Sequence, residues 1–265
     1  MRVLSVLTLA VLLSLPGYAQ GPDPKEHTYN PDLPEQLEGE MIPLATRGGL
    51  AFRAYEVKSK QPSETGILLI HEWWGLNGHM KATADQFALL GYNALAVDLY
   101  GEKSTDNPEE AGKLMEAVNS DEALRKLETA LEYFSLSNKK IAVIGWCFGG
   151  GWALKLSLAR PELVSATVIY YGELNSDPTR LAKLQGPVLG IFAKKDGWIT
   201  PQLVEAFKVG LEQAGIPHEI YTYDADHAFA NPSGKHFDES AYKDAWAKTL
   251  EFLGKTLHNT AEGEK

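Results

Sequence analysis

Cysteine is almost missing from this sequence: Cys147 is the one such residue in 265. A single cysteine excludes an internal disulfide. Basic residues are also short, with 25 Lys and Arg against 35 Asp and Glu, a net charge of −10. Nucleic acid and anionic membrane would both repel such a chain. Long apolar runs are scarce. One extends from Val3 to Leu15, and no second stretch of spanning length follows. No pair of the seven histidines has zinc-type spacing, so no metal is expected. Internal repeats are missing as well.

Arg2, the apolar run and the small residues before Gln20 read as a secretory signal, residues 1–19, cleaved after Ala19. Export to the periplasm or beyond is therefore expected, with no membrane attachment after cleavage. An unpaired cysteine in an exported protein is an intermolecular bridge or a thiol with a task. The remaining chain of about 246 residues suits one large α/β domain. Residues 20–45 begin Pro-rich and polar and read as an extended or disordered lead, 46–258 as a single domain, and 259–265 as a polar tail.

The chain is organised around residues 141–151, Ile-Ala-Val-Ile-Gly-Trp-Cys-Phe-Gly-Gly-Gly. Four apolar residues make a buried strand, and a helical pattern begins at Trp152. Between them stands Gly-x-Cys-x-Gly, the strand–turn–helix layout of a nucleophile elbow with cysteine in place of serine. It matches neither Gly-x-Gly-x-x-Gly nor a Gly-Lys-Ser/Thr phosphate loop. Such a turn strains the nucleophile's backbone and requires small neighbours, here Gly145 and Gly149. It also puts the sulfur at a helix N-terminus, where the dipole favours negative charge. The N–H of Phe148 is free there to receive an oxyanion. The competing view, a cysteine that merely packs, stays open.

From Gly66 onward strands alternate with helices, which predicts a mostly parallel sheet covered on both faces. Strands are expected at 50–57, 66–70, 92–99, 163–171, 187–194 and 218–223, and a closing helix at 240–257. In such sheets the site lies beyond the carboxyl ends of the strands. Two residues there match the elbow. Asp196 and His227 each follow a strand, and the order Cys147, Asp196, His227 is that of nucleophile, acid and base in α/β-hydrolases. Glu173, after the preceding strand, is the rival acid, and Asp196-Gly197 could be only a turn. Glu72 also follows a strand, amid aromatic residues, where a carboxylate is costly without a partner.

Together 71–77 (His-Glu-Trp-Trp-Gly-Leu-Asn), Asp98-Leu99-Tyr100, the 145–150 elbow and Asp226-His227-Ala228-Phe229 resemble the dienelactone hydrolase (carboxymethylenebutenolidase) family. The likeness runs from about Leu50 to Leu257. It implies an α/β-hydrolase fold and a Cys147–His227–Asp196 triad that opens an ester or lactone through a thioester, without cofactor. It further implies that Glu72 helps to activate the thiol and that the Trp73 N–H is a second oxyanion donor. The sequence departs from the family where substrate-binding arginines would stand: Gly101-Glu102-Lys103 and Ala230-Asn231-Pro232 occupy those places. Glu102 is expected to repel a carboxylate, and Lys103 to compensate only in part. The expected pocket is aromatic, from Trp74, Tyr100, Trp146, Trp198 and Phe229, and suits a neutral small molecule. The expected protein is an exported monomeric hydrolase. A ligand-binding protein on the same fold and a redox-active thiol protein are the alternatives.

Overall fold

The computed structural model describes residues 37–258. The expected signal, most of the lead and the tail lie outside the described residues. Eight strands form one sheet: β1 (Glu40–Ala45), β2 (Ala51–Val57), β3 (Thr65–Ile70), β4 (Asn93–Val97), β5 (Lys140–Trp146), β6 (Ala166–Tyr170), β7 (Val188–Ala193) and β8 (His218–Tyr223). Their order is β1-β2-β4-β3-β5-β6-β7-β8. β3 to β8 are parallel, while β1 and β2 pair antiparallel at one edge.

Parallel neighbours need crossovers, and helices supply them. α1 (Gly78–Leu89) joins β3 to β4, and α2 (Pro108–Glu116) with α3 (Ser120–Ser135) joins β4 to β5. α4 (Phe148–Ala159), the short α5 (Pro178–Leu181), α6 (Pro201–Gln213) and α7 (Glu239–Leu253) complete the layers. Among the described residues no helix is long and apolar enough to cross a membrane.

The near-continuous apolar strands follow from burial on both faces. Ile67 and Leu69 pack with Phe87 of α1 and Phe252 of α7. Leu68 and Ile70 face the other way, onto Leu131 and Phe134 of α3 and Leu156 of α4. That alternation is the two-residue period of a strand, and each fully buried aliphatic side chain contributes about 1.5–3 kcal/mol.

Side chains cap six of the seven described helices: Asn77, Asn107, Asn119, Asp177, Thr200 and Asp238 each accept a first-turn N–H. The exception is α4, whose cap position is Cys147 and whose first turn receives no side-chain acceptor. The Gly150 and Gly151 N–H groups donate to the Cys147 carbonyl, and those of Phe148 and Gly149 have no acceptor among the described residues.

Some boundaries differ from expectation. Residues 40–45, assigned to the lead, form β1. Pro43 is tolerated because β1 is an edge strand. The Arg47-Gly48-Gly49 turn joins β1 to β2, with Gly49 at φ 83°. The strand expected at 163–171 starts at Ala166, because Pro161–Leu163 makes a 3-10 turn. The closing helix regular to Leu253 continues as one wider π turn over Gly254–His258.

Candidate active site

β5 ends at Trp146 and α4 begins at Phe148, leaving a single residue to make the turn. Cys147 makes it at φ 52° and ψ −115°, a conformation costing about 1–3 kcal/mol for a residue with a side chain. The flanking glycines are a steric requirement. A Cβ on Gly145 would strike the carbonyl of Gly149, and one on Gly149 would strike the carbonyl of Ile70 at the end of β3. Strain recurs nearby. Tyr171, after β6, has φ 36° and Ala228, after His227, has φ 63°.

The structure brings the three expected side chains together. His227 Nε2 lies 3.1 Å from Cys147 Sγ, and His227 Nδ1 lies 2.6 Å from Asp196 Oδ2. The N–H groups of Trp198 and Ile199 donate to Asp196 Oδ1 at 2.8 and 3.0 Å. Burial alone would raise the Asp196 carboxyl, but His227 and these two amides hold it below its ordinary value. Burial likewise disfavours the imidazolium, yet Cys147 and Asp196 outweigh it and push His227 up to about 10. The imidazole therefore keeps its second proton at neutral pH. Glu173, the rival acid, pairs instead with Lys155 at 2.6 Å on the surface.

Glu72 is buried beside this row. Asn231 Nδ2 donates to its Oε2, and Tyr171 Oη donates to its Oε1 at 3.4 Å. The Ser233 N–H donates to Asn231 Oδ1 at 2.9 Å, which fixes the amide so that its NH₂ faces the carboxylate. Burial pushes Glu72 up to about 7, against the opposing pull of His227, Asn231 and Tyr171. Among the described residues its hydrogen-bond donors are two neutral side chains, Asn231 and Tyr171, with no arginine or lysine.

The family profile for dienelactone hydrolases matches residues 52–257, most of the chain. The chain belongs to the dienelactone hydrolase family. Among its relatives is Protein usf of Aquifex pyrophilus, 28% identical over 231 residues, 83% of this chain and 99% of that one. A relative in Synechocystis, whose name proposes a carboxymethylenebutenolidase, is 31% identical over 209 residues, 71% of this chain and 84% of its own. Among solved structures, a dienelactone hydrolase-like promiscuous phosphotriesterase from metagenomic libraries superposes with TM-score 0.74 at 22% identity, covering 82% of this chain and 98% of that one. An esterase from Pyrococcus furiosus gives TM-score 0.64 at 15% identity, covering 83% and 91%. These two show the α/β-hydrolase fold.

This family member's predicted pocket residues divide into two groups. Trp73 and Trp74 are partly exposed and pack edge to face at 4.8 Å. Trp198 is 49% exposed and stands edge-on to His227 at 5.0 Å. These sit where a ligand can meet them. Trp146 and Phe229 do not: Trp146 stacks on Tyr170 at 5.3 Å within the core, and Phe229 is wholly enclosed between Tyr171 and Tyr223. Tyr100 is also buried, between His71 and Phe148. Glu102, expected to repel a carboxylate in the cleft, is held on the surface by Arg53 at 3.0 Å. Its positive φ of 66° and the Asp98 side chain that accepts its N–H set that course. Tyr171 and Asn231 are the site residues that sequence reasoning passed over as such. The one available signal was an Asn four residues after His227 in the same loop.

Proposed function

We propose that this protein is an exported hydrolase of small neutral esters or lactones, acting through Cys147 and a thioester intermediate. The observation that carries the reading is the unbroken row from Cys147 Sγ to His227 to Asp196. His227 holds the proton given up by the thiol, so the resting site is a thiolate–imidazolium pair that Asp196 stabilises. The thiolate attacks the substrate carbonyl. The oxyanion is received by the N–H groups of Phe148 and Trp73, neither of which has an acceptor among the described residues. The C–O bond to the leaving group breaks, and the His227 Nε2 proton passes to the departing alkoxide. Water then gives a proton to His227 and attacks the thioester, which releases the acid and returns Cys147 as the thiolate beside the imidazolium. Glu72 is the second group acting on the thiol: a carboxyl that titrates near 7 exchanges a proton at neutral pH.

A neutral substrate is favoured because the nearby cations are taken up or turned outward, Arg53 by Glu102 and Lys103 into solvent, and the reachable walls are Trp73, Trp74 and Trp198. A screen of small esters and lactones with wild type beside Cys147→Ala tests the reading. Turnover that disappears in the variant is expected. Ligand binding without turnover would make this a binding protein instead, and reversible oxidation of Cys147 without turnover a redox protein. Cell fractionation with and without residues 1–19 tests export.

A further inference from the structure

His71 is wholly buried, and both its ring nitrogens are engaged. The Leu99 N–H donates to Nε2 at 3.2 Å, so Nε2 is the acceptor and Nδ1 carries the proton. That Nδ1–H points at the carbonyl oxygen of Glu72, 2.5 Å away. The Gly75 N–H donates to the same oxygen at 3.2 Å. The ring is wedged against Tyr100, with centroids 4.7 Å apart, and lies over Phe148 at 5.9 Å. Burial drives its pKa down, so it stays neutral and keeps this tautomer.

The Glu72 carbonyl belongs to the same peptide unit as the Trp73 N–H. In a trans peptide the two point in opposite directions, so fixing one aims the other. A hydrogen bond to the carbonyl also polarises the unit and strengthens its N–H as a donor. We propose that His71 is a positioning residue for oxyanion stabilisation: it links the end of β4 to the peptide between Glu72 and Trp73, and so aims the Trp73 N–H at the substrate oxygen. Leu99 fixes the ring, the ring fixes the carbonyl, and the carbonyl fixes the donor. Phe148 carries the other donor, and its ring packs against the same imidazole. One side chain thus touches both halves of the proposed hole. This rests on the ester-hydrolysis reading above and adds to it the group that sets the second donor.

The test uses matched oxo and thiono esters, because a thiono sulfur anion accepts hydrogen bonds weakly and gains little from the hole. His71→Leu removes both hydrogen bonds, while His71→Asn puts an amide N–H near the place of Nδ1. His71→Leu is expected to lower kcat on the oxo ester about 10- to 100-fold, with KM changed less than about threefold and the thiono ester much less affected. His71→Asn is expected to recover most of the loss. Thermal unfolding of each variant separates loss of fold from loss of function. Equal losses on both esters, a change confined to KM, or an Asn variant no better than Leu would overturn the assignment. If His71→Leu proves unfolded, His71→Asn against wild type decides on the oxo-to-thiono ratio alone, and a loss equal on both esters refutes it. Wild-type protein that hydrolyses no ester would remove the proposed function and this inference together. Active wild type with no oxo-selective loss would remove this inference alone.

Discussion

Asp196 and Glu173 both follow strands, and at the residue scale their surroundings separate them. Asp196 is buried against His227 Nδ1 and two amides, whereas Glu173 reaches out to Lys155. Asp196→Asn should lower kcat by about 10³–10⁴-fold while the protein stays folded. Glu173→Gln should stay within about threefold of wild type, since an exposed ion pair contributes little. Steady-state kinetics on one ester checks both, and the reverse result would move the acid to Glu173. Glu72 gives a second prediction. Its folded pKa of about 7 lies above the ordinary carboxyl value of 4.5, so the folded state binds the extra proton between those limits. Its ionisation therefore costs stability, increasingly as pH rises from about 4.5 to about 7. Glu72→Gln should be more stable than wild type at pH 8, by at most on the order of 3 kcal/mol. The same substitution should remove the acid limb near pH 7 from kcat/KM, leaving an upper limb near 10 where His227 loses its proton. Denaturant melts and rate profiles across pH measure both. Cys147, Asp196 and His227 were readable because each follows a strand in a known order. Tyr171 and Asn231 were not, because they act on Glu72 from 99 and 159 residues away through ordinary amide and hydroxyl bonds. Trp146, expected in the pocket, shares the core face of β5 with Ala142 and Ile144, as the two-residue strand period implies.

At the scale of elements, the turn between β5 and α4 is the most demanding piece of backbone. Its glycines leave room for the backbone of α4 and of β3, so backbone rather than a flexible side chain would have to yield. Gly145→Ala should therefore destabilise the protein by at least about 2–3 kcal/mol, measured by denaturant unfolding. A variant of unchanged stability would mean that the turn is looser than its geometry implies. The central strands and their helices were legible because burial on both faces writes unbroken apolar runs, and because Asn, Asp and Thr caps mark most helix starts. β1 was not legible. Its register is set by the partner strand β2, and its end is fastened by tertiary bonds: Tyr55 Oη accepts from the Gly39 N–H and donates to Asp85, which also accepts from the Glu38 N–H. None of these bonds leaves a local pattern, and Pro43 obscures the strand further.

Across the whole molecule, a net charge of −10 and the lack of arginine at 101–103 and 230–232 argue in the same direction. An anionic substrate would lose hydration without gaining a paired cation. Neutral lactones should exceed matched carboxylate-bearing ones by at least about tenfold in kcat/KM, equivalent to ~1.4 kcal/mol. Preference for the anion, lost in Lys103→Ala, would instead show the lysine turning inward. The sheet order could not be read from the chain, because strand alternation predicts parallel pairing but not which strand lies at the centre. In the fold, β5 lies between β3 and β6. That placement brings Cys147 beside Glu72, at the end of β3, and Tyr171, at the end of β6, while β7 and β8 bring in Asp196 and His227. The central claim, a thioester on Cys147, is tested most directly by quenching the reaction with an activated ester and weighing the peptide that carries Cys147. The account predicts that peptide heavier by one acyl group in wild type, with neither adduct nor turnover in Cys147→Ala. Turnover that leaves Cys147 unmodified and survives in the variant would contradict it.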